Sequence, residues 1–204
     1  VRAGRHAAVR ENRDRVGGLC DIPAERFAYG RQVHGARVRR RTAVPEPGAE
    51  PVEEDGQAIS VPGVAAFVLV ADCLPVAIAG DGAVAMLHCG WRSLAGGIIG
   101  EGVRALRELG AGGPLSAAIG PGAGVCCYET GDEVREAFAA HGEEVRRGRN
   151  VDLPLVARRE LEAAGVDTVH DVGLCTICSD PELFFSHRRD GGVTGRQGGL
   201  AWLS

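Results

Sequence analysis

Apolar residues fall in short runs along the chain. Ala65 to Val70 is a continuous apolar run of strand length, which predicts a strand buried on both faces. Pro75 to Ala79 and Ala83 to Leu87 follow closely, and Asp81-Gly82 between them is a hairpin signal. Leu115 to Ile119 and Thr168 to Val172 predict two later strands, and Phe27 to Val38 a strand pair interrupted at His34-Gly35. Helical spacing marks other segments. His6 to Leu19 reads as a polar helix with Val9, Val16 and Leu19 on one side. Leu94 to Leu109 carries a stripe of Leu94, Ile98, Val103, Leu106 and Leu109, with Gly110 as its stop. Gly131 to Ala140 and Leu153 to Ala164 also read as helical. Asp152 is placed to cap the latter, and Pro154 is tolerated in its first turn. Thr42 to Gln57 holds Pro45, Pro47, Gly48, Pro51 and several acids, which predicts a surface loop. The tail is turn-rich from Ser186 to Gly199 and closes on Leu200-Ala201-Trp202-Leu203. Because the strands come in hairpin-like runs and not in β-α-β alternation, the expected class is α+β with a mixed, two-layer β core. No repeat or linker divides the chain, so residues 1–204 are expected to form one domain.

Composition narrows the partners. A net charge of −4 over 204 residues offers no broad face for a phosphate backbone, so nucleic acid is not an expected partner. The basic run Arg37 to Arg41 is read as a solvated strand edge. No apolar run approaches the ~20 residues of a membrane span, and no signal peptide is visible. The cysteine count is seven, an odd number with spacings unlike a secreted disulfide framework. A reducing cytoplasm is expected, where cysteine serves as core filler, metal ligand or nucleophile.

Three residues stand at the ends of apolar strands, where a side chain can leave the core and face a pocket: His34, Cys73 and His88. Two imidazoles and a thiolate suit zinc or copper, and three protein ligands leave one position open. Their spacing matches no general zinc pattern, so spacing alone favours a buried strand-end cysteine and two surface histidines.

The motifs around them are more specific. Gln32-Val33-His34-Gly35, Ala71-Asp72-Cys73-Leu74-Pro75-Val76, His88-Cys89-Gly90-Trp91-Arg92 and Cys126-Cys127-Tyr128-Glu129 occur in order. Phe185-Ser186-His187-Arg188-Arg189-Asp190 and Thr194-Gly195-Arg196 follow. Together they resemble the peptidoglycan-editing-factor family, the laccase-domain proteins once described as multicopper polyphenol oxidoreductases. The resemblance runs from about Val9 to the C-terminus. It implies an α/β/β/α sandwich related to toxin deamidases with a Cys–His pair, and a zinc held by His34, Cys73 and His88. Activities associated with the family include purine nucleoside phosphorolysis, adenosine deamination, amidase editing of mis-charged muramyl precursors and copper-dependent phenol oxidation. Relatives usually carry Ala where Cys89 stands and Gly where Ser93 stands. They also usually begin with a strand and a Gly-Gly-Val-Ser-like turn ahead of the first helix, which implies such a segment before Val1, walling the pocket.

Other residues are weighed individually. Asp72 is a candidate to accept a histidine N–H, unless strand alternation turns it away; Asp55 matches a family position and otherwise reads as a loop acid. Arg92, four residues after His88, leads the phosphate candidates Arg92, Arg188, Arg189 and Arg196, because a guanidinium fork fits a phosphate. Of the adjacent Arg188 and Arg189, one is expected to point inward. The turn Gly120 to Gly124 is a weak anion candidate, and Tyr128 can stack on a base or fill the core. Cys175-Thr176-Ile177-Cys178 and Cys126-Cys127 are read as structural, not as redox or second-zinc motifs. Cys89, next to His88 in a strand, is expected on the opposite face as a buried, unligated thiol.

The leading expectation is a zinc-dependent purine nucleoside phosphorylase or adenosine deaminase-like enzyme, with Arg92, Arg188 and Tyr128 on the substrate. The alternative is an amidase with Cys73 as nucleophile and His88 as base. A copper phenol oxidase ranks below both, since six histidines are few for multicopper chemistry. A metal-stabilised binding module would need a fourth protein ligand such as Cys89.

Overall fold

The structure, a computed structural model, describes residues 2–46 and 48–204. Pro47 of the predicted proline-rich loop therefore lies outside the described residues, as does Val1. Arg2–Cys20 forms helix α1 and Phe27–Ala28 a short strand, β1. Strands β2 (Val38–Arg41) and β3 (Gly56–Ile59) follow, then β4 (Ala65–Val70), β5 (Leu74–Gly80) and β6 (Ala83–Cys89). Next come helices α2 (Trp91–Ala95) and α3 (Ile98–Glu108), strand β7 (Ser116–Ile119) and helix α4 (Asp132–Ala137). A small ribbon, β8 (Arg146–Arg147) with β9 (Asn150–Val151), leads to helix α5 (Leu153–Ala163). Strands β10 (Thr168–Asp171) and β11 (Gln197–Trp202) close the chain.

Six strands form one mixed sheet in the order β10-β7-β5-β6-β3-β2, and three form a second in the order β1-β4-β11. The α+β class with a mixed, two-layer β core is therefore present. One face of the six-stranded sheet packs on α2, α3 and α5 through a large apolar cluster that includes Leu74, Leu87, Ile98, Leu106 and Leu161. Its other face meets the three-stranded sheet through Ile59, Val68, Val84 and Met86. On the outer face of the small sheet, Phe27 and Phe67 pack with Ile22, Val16 and Cys20, and Arg13 of α1 stacks on the Tyr29 ring at 4.1 Å. Burial of apolar surface on both faces of the central strands is the main force holding these layers.

Several expectations hold closely. Gly82 takes φ 73° in the β5–β6 hairpin and Gly110 takes φ 94° after α3, conformations that favour glycine. Asp152 caps α5 by accepting the Leu155 N–H at 3.0 Å. Of the basic run Arg37 to Arg41, Val38–Arg41 forms the edge strand β2. Others change. Residues 29–37 form a loop and not a strand, because the Val33, His34 and Gly35 amides bond to the Asp55 side chain instead of to a neighbouring strand. The predicted helix from Leu94 breaks at Gly96-Gly97, with Gly97 left-handed at φ 82°. Of the apolar side expected on α1, Val16 packs on the small sheet, whereas Leu19 is 88% exposed and Val9 49%. The predicted surface loop ends early, because Gly56–Ile59 is a fully buried strand inside the large sheet. Its flanking acid Glu54 is also buried, paired with Arg41 at 2.5 Å.

Candidate metal centre and pocket

Strand register brings the site together at one end of the large sheet. Strands β5 and β6 are antiparallel with Leu74 opposite Cys89, so Cys73, just before β5, lies beside the end of β6 that carries His88. Strand β3 pairs with β6 in the register Gly56 to Leu87, which sets Asp55 next to His88; the His88 amide donates to the Asp55 carbonyl at 2.7 Å. The third residue, His34, arrives on the loop that Asp55 organises.

Asp55 is the hub of this arrangement. It is fully buried. One carboxylate oxygen, Oδ1, accepts the His34 amide at 2.9 Å and contacts His88 Nδ1 at 2.7 Å. The other, Oδ2, accepts the Val33 and Gly35 amides at 3.0 and 2.8 Å. Burial alone would raise its pKa, but the His88 bond and the amides outweigh burial and hold the carboxyl below its ordinary value. Because Nδ1 of His88 is occupied by Asp55, Nε2 is the nitrogen left to face the pocket.

Side-chain donor atoms of His34, Cys73 and His88 all lie within 4.8 Å of one another. The two imidazole rings meet edge-on, with centroids 4.8 Å apart. Burial pushes the Cys73 thiol up, but hydrogen bonds from His34 and His88 and their charge prevail and bring it down to about 7. Burial pulls His88 down, while Asp55 and Cys73 raise it more strongly, to about 9. The site thus favours a thiolate beside imidazoles. Gly90 leaves it room: a Cβ there would stand 3.0 Å from Cys73 Sγ and 3.9 Å from His34 Nε2. Two of the three non-glycine residues with positive φ in the described chain are His34, at 59°, and Asp72, at 81°, both flanking the site. Such strain persists only where surrounding contacts enforce it.

A pocket of about 520 Å³ opens over these residues, lined also by Tyr128, Arg92, Arg188 and Arg196. That volume suits a small polar molecule. Arg92 lies on the Trp91 ring at 4.2 Å, and Arg188 lies 5.3 Å from the Tyr128 ring. Burial and the Cys73 charge push the Tyr128 hydroxyl up to about 12, so it stays a donor near neutral pH. Arg189 turns the other way, donating to the Thr176 and Phe184 carbonyls.

Two expectations need correction. Asp72 does not accept from a histidine; its carboxylate takes the Thr176 hydroxyl and the Arg188 amide, both at 2.7 Å. Asp72 sits in the bend before β5 with φ 81° and is committed to these two partners, and Asp55 fills the supporting role instead. The Gly120 to Gly124 turn offers little to an anion, because the amides of Gly120, Gly122 and Ala123 donate to Pro75, Leu174 and Asp72 carbonyls. The two cysteine pairs, read as structural, come together: Cys126, Cys127, Cys175 and Cys178 converge in one cluster. Cys89 stands as expected, fully buried in the large apolar cluster on the face opposite His88. His187, which also lines the pocket, was given no role from sequence, although it adjoins Arg188 in the tail motif.

The chain is similar to known proteins over most of its length. A family model described as multi-copper polyphenol oxidoreductase laccase matches residues 2–204. A purine nucleoside phosphorylase of Xylella fastidiosa is 41% identical over 211 residues, covering 96% of this chain and 78% of the relative. The purine nucleoside phosphorylase YfiH of Escherichia coli is 33% identical, covering 96% of this chain and 81% of its own. Among solved structures, YlmD from Geobacillus stearothermophilus superimposes with a TM-score of 0.83 at 34% identity, over 93% of this chain and 77% of that one. A Bacillus licheniformis protein, YfiH, gives a TM-score of 0.86 at 27% identity, over 96% of this chain and 81% of that one.

Proposed function

This chain belongs to the multi-copper polyphenol oxidoreductase laccase family, and we propose that it is a zinc-dependent purine nucleoside phosphorylase, with adenosine deaminase-like chemistry open to the same site. The observation that carries this reading is the convergence of His34, Cys73 and His88 in a pocket that Arg92, Arg188 and Arg196 also line. The relatives named as purine nucleoside phosphorylases support a nucleoside as substrate.

The donor set fits zinc. Two imidazoles and one thiolate match its preferences, the set leaves a position for substrate, and Gly90 keeps the approach clear of a Cβ. His34, Cys73 and His88 would hold the ion, and Asp55, bonded to His88 Nδ1, keeps the Nε2 lone pair directed at it. When bound, zinc supplies Lewis acidity toward a substrate oxygen or nitrogen. Arg92 and Arg188 place phosphate with their guanidinium forks. A phosphate oxygen attacks the ribose C1′, the bond from C1′ to the purine nitrogen breaks, and the electron pair leaves with the base, which takes a proton from water. Tyr128 offers a ring face and a hydroxyl donor to the base.

One observation favours a second reading. Cys73 is brought down to about 7 by flanking histidines, as a thiol nucleophile would be, which suits an amidase acting on muramyl precursors and accords with the expected kinship to Cys–His toxin deamidases. Copper chemistry ranks third: among the described residues the two potential ligand groups contain just two histidines, both in one group. No helix among the described residues is long and apolar enough to cross a membrane. The seven free thiols support placing the protein in the reducing cytoplasm.

The separating experiment gives the full-length protein adenosine or inosine with phosphate in one arm, and a muramyl-serine precursor in the other. We expect phosphate-dependent release of free purine, reduced ~10²-fold in kcat/KM by Arg92→Ala through loss of a guanidinium contact to phosphate. Amide cleavage without any phosphorolysis would replace this reading with the amidase.

A further inference from the structure

We propose that Cys126, Cys127, Cys175 and Cys178 form a second zinc site, closed and structural, separate from His34, Cys73 and His88. Nothing in the proposed chemistry uses these four residues, and none of them belongs to the hydrophobic clusters of the fold. Cys126 and Cys178 are exposed, so core filling does not explain them.

Topology explains the convergence. Strands β7 and β10 pair in parallel, with Ile119 opposite Asp171, so the loops after them leave the sheet side by side. These loops are then joined: the Gly122 amide donates to the Leu174 carbonyl at 3.3 Å and the Thr176 amide to the Gly122 carbonyl at 2.9 Å. A tight turn follows, in which the Cys127 and Tyr128 amides both donate to the Gly124 carbonyl at 3.0 Å. The turn lets two adjacent cysteines face the Cys175–Cys178 pair.

The distances suit a metal and not a disulfide. All four sulfurs lie within 4.8 Å of one another, and Cys126 and Cys178 are 3.7 Å apart. Four thiolates around zinc at about 2.3 Å stand about 3.8 Å apart in a tetrahedron, whereas a disulfide needs about 2.05 Å. The Gly124 amide donates to Cys175 Sγ at 3.3 Å, an interaction that stabilises negative charge on sulfur. Gly124 itself has to be small: a Cβ there would lie 3.2 Å from Cys175 Cβ and 3.4 Å from Cys126 Sγ. On binding, the thiols release their protons to solvent. Four protein ligands leave no open position, which makes the site structural. Its position gives it a task. Tyr128 follows Cys127, and the hydroxyl of Thr176, next to Cys175, donates to Asp72 beside Cys73. The cluster therefore fastens the pocket wall.

The test counts metal in full-length protein purified under reducing conditions and supplied with zinc. Wild type should hold about two zinc ions per chain, Cys73→Ser about one, and Cys73→Ser/Cys126→Ser/Cys178→Ser none. X-ray absorption at the zinc edge of Cys73→Ser should show sulfur neighbours alone at about 2.3 Å, a readout that does not depend on the triple variant folding. If the triad reading fails but this one holds, wild type contains one sulfur-ligated zinc that Cys73→Ser does not remove. Nitrogen neighbours in Cys73→Ser, unchanged zinc after Cys126→Ser/Cys178→Ser, or a disulfide within the cluster of the reduced protein would each overturn the proposal.

Discussion

Replacing Asp55 by Asn is the substitution from which the site should suffer most for the least change in shape. Each carboxylate oxygen serves two donors: Oδ1 the His34 amide and His88 Nδ1, Oδ2 the Val33 and Gly35 amides. An amide keeps one oxygen and presents N–H₂ in place of the other, so two buried donors then face a donor. A hydrogen bond to a charged group contributes about 1.5–3 kcal/mol, and a buried donor left unpaired costs about 1–3 kcal/mol. The losses are not additive, since the loop can shift and the ring can change tautomer. We expect Asp55→Asn to lose about 3–5 kcal/mol of stability, as when one partner of a buried pair is removed. A second effect is local. With Asp55 no longer holding His88 Nδ1, zinc affinity should fall about 10–100-fold. Urea unfolding near neutral pH measures the first quantity, and competition with a chromophoric chelator measures the second. A variant within about 1 kcal/mol of wild type and with unchanged zinc affinity would refute the role given to Asp55.

Two further outcomes follow from burial and register. Cys89→Ala should retain zinc and activity and cost within about 1 kcal/mol, because Cys89 is buried opposite the site; His88→Ala, one residue away, should lose both metal and activity. Elemental analysis of the two variants checks this, and zinc loss in Cys89→Ala alone would place the strand in the other register. Burial raises Glu160 on α5 from its ordinary 4.5 to about 7. The stability it carries is thus full below about pH 4.5 and lost as pH rises through about 7. Glu160→Gln should therefore gain about 1–2 kcal/mol over wild type at about pH 8, discounted for partial exposure, and little at about pH 4. Paired unfolding curves measure this, and a gain of equal size at both pH values would contradict it.

Strands β4 and β6 were legible in the sequence because their burial on both faces makes them continuously apolar, and β5 because Asp81-Gly82 marks its hairpin with β6. The ordered motifs around His34, Cys73, His88, Tyr128 and Arg188 located the pocket residues well. What they left out depends on contacts between distant segments. Strand β3 reads Gly-Gln-Ala-Ile, with no apolar alternation, and is buried because β6 and β2 flank it. Asp55 matched a family position but had no role until the register of β3 against β6 set it beside His88. Glu54, buried against Arg41, was hidden in the same acidic stretch. The cysteine cluster escaped because its halves are far apart in sequence and meet through the parallel pairing of β7 with β10. For His34, the residue was evident but its strand was not. A side chain, Asp55, takes the amides that a strand would have used.

In the proposed reading, His34, Cys73 and His88 hold one zinc ion on which the activity depends. Zinc content measured in parallel with phosphorolysis, in the Cys126→Ser/Cys178→Ser background so that only this site is counted, tests it most directly. About one zinc per chain is expected in that background, lost together with purine release in each of His34→Ala, Cys73→Ala and His88→Ala. Full zinc occupancy in the Cys73→Ala protein would contradict the ligand set, and undiminished phosphorolysis in metal-free protein would contradict the dependence.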